Sequence, residues 1–569
     1  MRNMIPNIRI TAARLAALLV LAALVCAGMQ VVVAQEEQTM TIGIGDYAGR
    51  GTDPTIYQTY NYHHQYTHWE PLITCDNRSN IIPWLAESYE VSDDFKSITF
   101  HLRKEVNFAD GKPLNASVLK FNFDRILIYG FADALGKNGT KAPLFIYYDH
   151  SEAADEYTFK VYFTQGWLDM PRDIASSKIY GKFIHPADVD PAWDIRGVLK
   201  SDKKYNGLGP YYVDENESIL DQEVVLKRRP SWRDNYNFHK PKLDKIVLKL
   251  IKDPQVAVMA LEKGDIDYYC RYSNVPLDSL PALEKNPMIT IKTAPESYIY
   301  FMQTAYWKEP FLGEDGILLR KAICYALNRT EMVKGAFYGY ARPATDAMYL
   351  SPLRPDSPEC CHMGYDYDLD KAKKLLAEAG WNDTDGDGIL DKNGKSLKDL
   401  DLVITSYSGL GWQKDLTLVV QSQLKKIGID VKIRTVEYAD YFTVRNSGDF
   451  DLIMSYGAGN LASSVTSFNN FFNRKGWVES SKSAPMNYYS NQNKTLAAFV
   501  EAAKMANSID EQDENLCQAC NILYEEAGII PLVYEEQYAV MNSRVKGFPF
   551  GASRNADEQD HVEECWIED

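Results

Sequence analysis

The sequence predicts a mixed α/β protein built of more than one domain. Three observations carry this. The chain has 569 residues, more than one hydrophobic core ordinarily serves. Segments with period-two alternation and segments with helical periodicity occur in several blocks, and from about Leu243 onward they alternate. No short internal repeat and no Ser/Pro-rich linker appears, which argues against solenoids and propellers and leaves short crossings between domains.

The first residues read as a leader rather than as part of the fold. Arg2, Arg9 and Arg14 precede an apolar run from Leu15 to Met29, and Val32 and Ala34 set up cleavage before Gln35. Export is therefore expected, to the periplasm or the cell surface. Cys26 raises a lipid-anchored alternative, though Leu24 and Val25 are bulky where small residues usually precede a lipidated cysteine, and an uncleaved membrane anchor is the other alternative. The formal net charge is −17, and loss of the three arginines makes the mature chain three units more negative. Such a surface repels phosphate backbones, so nucleic acid is not an expected partner. Nine cysteines include eight beyond Cys26, and in an exported chain some can pair in ways that sequence alone does not choose.

The elements follow in order. "TMTIGIG" at Thr39–Gly45 alternates like a strand. In "SITFHLRKEVNFADGKPLNASVLKFNFDRIL" Ile98, Phe100 and Leu102 alternate, Asp110-Gly111 marks a turn, and Asn115 caps a helix carrying Val118, Phe121 and Phe123. "VVLKRRPSW" and "LDKIVLKLI" supply two further strands. "DPQVAVMALEKGDIDYY" predicts a helix from Pro254 to a stop at Gly264, then a strand. "LLRKAICYALNRTEMVKGAF" is strongly helical, and "DLDKAKKLLAEAGW" is an amphipathic helix stopped at Gly380. "LTLVVQSQLKKIGIDVKIRTV" is a helix, a stop at Gly428 and a strand. "FDLIMSYGAGNLASSVTSF" at Phe450–Phe468 starts as a buried strand and dissolves into Gly, Ala and Ser, which leaves its backbone open to close approach.

Candidate chemistry is sparse. Asp383, Asp385 and Asp387 in "DTDGDGILD" match the opening of a calcium loop, but position twelve is Gly394 where a bidentate Glu belongs, so a polar turn is the expectation. His63, His64 and His68 stand near Glu70, yet no H-E-x-x-H occurs, and a helix with partly exposed histidines is expected instead. The adjacent cysteines of "ECCHM" are expected to pair elsewhere rather than bind a metal, and the Cys517-x-x-Cys520 pair is read as two small apolar residues on a helix face or as a local disulfide. No G-x-S-x-G and no phosphate-cradling glycine loop is present, so neither catalysis nor a cofactor is expected.

The chain resembles the family 5 extracellular solute-binding proteins, the receptors of peptide and nickel ABC importers. The resemblance rests on "IIPWLAESYEVSDDFKSITFHLRKEVNFADGKPLNAS", "NGLGPYYV", "KLDKIVLKLIKDPQVAVMALEKGDID", "LRKAICYALNRTEMV" and "YDLDKAKKLLAEAGWNDTDGDGI", in that order. It implies a periplasmic-binding-protein-like two-lobed fold of the class II type with an extra inserted domain. The implied plan is a leader at 1–34, a first lobe from 35–79, 205–295 and 536–569, the extra domain at 80–204, and a second lobe at 296–535. It also implies a monomer that captures a small solute, with peptides leading and an oligosaccharide or a nickel chelate as alternatives, and delivers it to an ABC permease in the membrane. A surface scaffold that keeps the fold without transport is the reading of another class.

The same resemblance places Phe450–Phe468 at the ligand, where many peptide receptors carry an aspartate for the peptide amine. This stretch has no acid past Asp451, so the amine is held elsewhere or the ligand has none. The expected wall is aromatic and amide-bearing: Tyr57, Tyr60, Tyr407, Trp412, Tyr456 and Asn460, with the backbone of Gly457, Ala458 and Gly459.

Overall fold

Two long strands, Ile289–Thr304 and Ile530–Asn542, run antiparallel through the middle of an eleven-stranded sheet and join its two halves. The structure is a computed structural model and describes residues 37–45, 66–75, 80–129, 147–175, 181, 183–189, 205–219, 221–230, 232, 239–270, 275–346, 359–406, 412–458, 465, 493–548 and 562–568. The leader therefore lies outside the described residues. Thr39–Asp569 form one unit, and of the other, Met1–Gln38, only Glu37 and Gln38 are described.

On one side of the long pair lie Tyr268–Tyr269, Thr39–Ile44, Lys245–Leu250, Glu223–Arg228 and Tyr211–Val213. Thr39–Ile44 pairs in parallel with both Lys245–Leu250 and Tyr268–Tyr269, so a chain start and two later segments share one half-sheet. On the other side lie Leu452–Ala458, Leu400–Thr405 and Val431–Val436. The two halves differ in register. Ile289–Pro295 pairs with Glu536–Asn542, and pairing resumes only at Ile299 with Tyr534 after a break. A bulge of this kind interrupts the ladder and lets the sheet bend locally.

A separate four-stranded antiparallel sheet is made of Ala86–Val91, Ser97–Leu102, Thr158–Phe163 and Tyr148–Ala153. It has its own core, with Phe100, Phe123 and Phe159 fully buried. Ile98, Phe100 and Leu102 face that core as alternation requires, and the Asn115 carboxamide caps the helix Ala116–Tyr129 by accepting from the Val118 N–H at 3.0 Å.

Local signals set the element ends. Asp253 caps Pro254–Lys263, accepting from the Gln255 and Val256 N–H groups, and Gly264 ends it at φ 76°. The long helical segment is two helices rather than one. Gly313–Ala326 stops before Leu327, and Asn328 caps Arg329–Ala336 through the Glu331 N–H. A capping side chain at Asn328 competes with continued helix, and Gln423 takes up the Asn328 N–H.

Candidate functional site

The strand Leu452–Ala458 begins where expected. The helix Tyr438–Ser447 ends at Gly448 with φ 71°, and Phe450 is buried. Asp451 is consumed locally: its carboxylate lies 2.8 Å from Lys308 Nζ and accepts from the Asp401 N–H at 2.8 Å. The last charge of the stretch is thus structural. On one edge the whole strand pairs with Tyr298–Thr304, which puts Tyr456 opposite Tyr300, Gly457 opposite Ile299 and Ala458 opposite Tyr298. On the other edge it pairs with Leu400–Thr405 only at Leu452 and Ile453. Among the described residues, Ser455–Ala458 therefore ladder on one edge alone.

Trp412 opens the helix Trp412–Lys425, and its ring is half-buried. Its centroid lies 3.8 Å from that of Tyr300 and 5.1 Å from that of Phe337. Tyr300 donates its hydroxyl to Glu535 Oε2 at 2.5 Å. The structure thus joins Trp412 to the strand of Tyr456 through Tyr300, whose ring meets that of Trp412 at a tilt of 49° and whose backbone pairs in register with Tyr456. Tyr57, Tyr60, Tyr407, Gly459 and Asn460 lie outside the described residues. Tyr300, Phe337 and Glu535 escaped the sequence reading. Tyr300 sits in an alternating strand that looks like core, and Glu535 is one of 78 acids with no local cue. Beneath the strand, Tyr441 donates to the Met454 carbonyl at 2.7 Å, and the Ser455 hydroxyl donates to Gln303 Oε1 at 3.2 Å. These buried contacts hold the strand from its buried side.

Of the histidine group only His68 is among the described residues. His63 and His64 lie outside them, and His68 is fully buried rather than partly exposed. The turn "NGLGPYY" packs directly on it. A Cβ at Gly207 would stand 2.0 Å from the Thr67 carbonyl oxygen, and one at Gly209 2.3 Å from the Tyr66 oxygen, so only glycine permits this approach. Glu70, also buried, is engaged by His239 Nδ1 at 3.0 Å and by the Trp84 indole N–H. His239 Nε2 meets Glu563 Oε1 at 2.9 Å. Burial alone would push this histidine down, but Glu70 and Glu563 outweigh it and raise His239 to about 10.

The Asp383 loop is a solvent-exposed turn. The Asp383 carboxylate accepts from the Gly386 and Gly388 N–H groups, and Asp387 accepts from the Ile389 N–H. Lys398 Nζ lies 2.8 Å from Asp387 and draws its carboxyl below the usual range. The acids that cluster are Asp383, Asp385 and Asp391, with ligand atoms within 4.8 Å of one another. Asp387 is not among them.

The four cysteines read as structural form two disulfides, Cys360–Cys517 and Cys361–Cys520. The local bridge expected between Cys517 and Cys520 does not form; each pairs instead with one of the two adjacent cysteines of "ECCHM". The C-x-x-C places its two sulfurs one helical turn apart on Ile509–Glu526, facing the adjacent pair on Glu359–His362. Cys75, Cys270, Cys324 and Cys565 take part in neither of these bridges.

Comparison with known proteins agrees with this architecture. The family model described as "Bacterial extracellular solute-binding proteins, family 5 Middle" matches residues 80–479. The nickel-binding periplasmic protein of Escherichia coli (strain K12) is 27% identical over 70% of this chain and 72% of its own length. The oligopeptide-binding protein AppA of Bacillus subtilis (strain 168) is 27% identical over 87% of this chain and 85% of its own. Among solved structures, NikA from Brucella suis in complex with Fe(III)-EDTA superposes with a TM-score of 0.77 at 22% identity, covering 93% of this chain and 100% of that one. AppA from Bacillus subtilis in complex with a nonapeptide gives 0.67 at 23% identity, covering 94% and 100%. The shared fold is the two-lobed binding-protein fold with an added domain.

Proposed function

Because the chain belongs to the family 5 bacterial extracellular solute-binding proteins, whose members are transport receptors and not enzymes, we propose that it captures peptides between two closing lobes and delivers them to an ABC permease. One observation favours peptides over other solutes. Ser455–Ala458 is laddered on one edge alone among the described residues, beside the ring of Trp412 and Tyr300. An extended backbone can add to such an edge by main-chain hydrogen bonds, while neighbouring rings receive its side chains. The broad match to the oligopeptide-binding relative supports the same reading. Among the described residues, His68 is buried and Glu70 is committed to His239, so neither offers itself to a nickel chelate.

We take the lobe crossings to be the two long strands, near Pro295 and Glu535, where the register breaks. The first lobe then comprises 35–79, 205–295 and 536–569, the second 296–535, and the added domain 80–204. Closure requires that solute favour the closed state by its differential affinity for it. Native mass spectrometry of the exported, purified protein tests the proposal. A population of retained masses that resolves into peptides on denaturation supports it. A retained sugar or metal chelate, or a wild-type protein indifferent to a diverse peptide pool, refutes the peptide assignment.

A further inference from the structure

We propose that Lys504 and Tyr147 form a reversible latch between the added domain and the second lobe, and that this latch sets how long the closed receptor holds its solute. The proposal rests on the capture reading above. Lys504 ends the helix Lys494–Met505, and Tyr147 precedes the strand Tyr148–Ala153, 357 positions earlier. Lys504 Nζ lies 2.5 Å from the Tyr147 hydroxyl and 4.4 Å from the centre of its ring. Two further contacts flank the pair. Gln512 Nε2 donates to Asp169 Oδ2 at 3.3 Å, and Gln165 Nε2 lies 2.6 Å from Met505 Sδ. All three connect residues 147–169 with residues 504–512.

The chemistry of the central contact is that of a joint made to open. Lys504 is only 9% exposed and Tyr147 7%, and among the described residues the ammonium meets the phenol oxygen and the ring rather than a carboxylate. The phenol oxygen and the ring face together offset the hydration that the ammonium gives up and leave a modest net gain, smaller than a buried ion pair with full hydrogen bonding would hold. When the two bodies part, water returns to the charge, so opening costs only that modest net gain and the joint stays reversible. The permanent cations of the same lobe are held differently. Arg329 is buried with its guanidinium donating to the carbonyls of Cys324, Leu327, Tyr365 and Pro531. Arg320 likewise reaches the carbonyls of Phe311, Glu526 and Ala527. The platform carrying Gln512 is rigid, because its helix is bolted through Cys517 and Cys520 to Cys360 and Cys361. Motion is therefore referred to the contact and not to the helix.

The test compares wild type with Lys504→Met, which keeps the stem, and Tyr147→Phe, which keeps the ring. Each protein is loaded with a tryptic digest of casein as the peptide probe, then diluted, and release is followed by native mass spectrometry. Small-angle scattering without peptide gives the radius of gyration. Lys504→Met is expected to release about tenfold faster, the loss of one desolvated cation–π contact, and to show a larger radius. Tyr147→Phe falls between it and wild type. Wild-type release and radius in Lys504→Met overturn the latch, and a lowered melting temperature with both unchanged marks the contact as permanent packing instead. If wild type retains none of the probe, the capture of peptides fails, and the scattering comparison alone judges the latch: equal radii sink it and a larger variant radius upholds it.

Discussion

His239 Nε2 lies 2.9 Å from Oε1 of Glu563, a residue 324 positions later in the chain, while its Nδ1 faces Glu70. One buried imidazolium therefore ties the early segment, the middle and the C-terminal segment together. Its pKa is raised from the ordinary 6.5 to about 10. A raised basic group contributes stability fully below its unfolded pKa and loses it as pH climbs through the folded one. The contribution is thus complete below about 6.5, declines across the window up to about 10, and is gone above it. His239→Gln leaves two buried carboxylates without their cation and should cost about 3–5 kcal/mol at pH 6. The deficit relative to wild type should shrink by pH 10. Urea denaturation at both values checks this, and a variant as stable as wild type at pH 6 would refute the role assigned to the pair.

The disulfides make a counting prediction. Denatured without reductant, the mature chain should take up four alkyl groups, at Cys75, Cys270, Cys324 and Cys565. Reduction should add four more, from Cys360, Cys361, Cys517 and Cys520. Each bridge spans more than 150 positions, 157 for one and 159 for the other, so loss of both should destabilise by several kcal/mol (about 2–5 for a single native bridge). Peptide mapping that joins Cys517 to Cys520 directly would contradict the cross-pairing.

Trp412 offers a test of the proposed wall. Trp412→Ala should weaken binding of the co-purified solute at least tenfold, since removal of an aromatic anchor typically costs about 2 kcal/mol or more. Trp412→Phe keeps a ring against Tyr300 and Phe337 and should recover most of the affinity. Calorimetry with the solute identified by mass spectrometry reads both. Normal binding by Trp412→Ala in a folded protein would place the site elsewhere.

Chelation should leave the protein almost unchanged. The Asp383 carboxylate already caps backbone N–H groups and Lys398 already holds Asp387, so EDTA is expected to move the melting temperature by less than about 1 °C. A large fall restored by calcium would show that Asp383, Asp385 and Asp391 close around a cation.

What the sequence determined by itself is the local part of this protein. Asn115 and Asp253 cap their helices, Gly264 and Gly448 end theirs with positive φ, and Phe450–Met454 enters the core, because each depends on a few adjacent residues. The order of such segments also sufficed to recognise the family. Tertiary structure decided the partners that adjacency does not encode. It buried His68 beneath Gly207 and Gly209, gave Glu70 to His239, crossed Cys360 and Cys361 to Cys517 and Cys520, and brought Tyr300 to Trp412 and Glu535 to Tyr300. Caps and turns are fixed by hydrogen bonds within one or two turns of chain, whereas ion triads, bridges and ring stacks form only after distant segments are packed, and no pattern along the chain measures that distance.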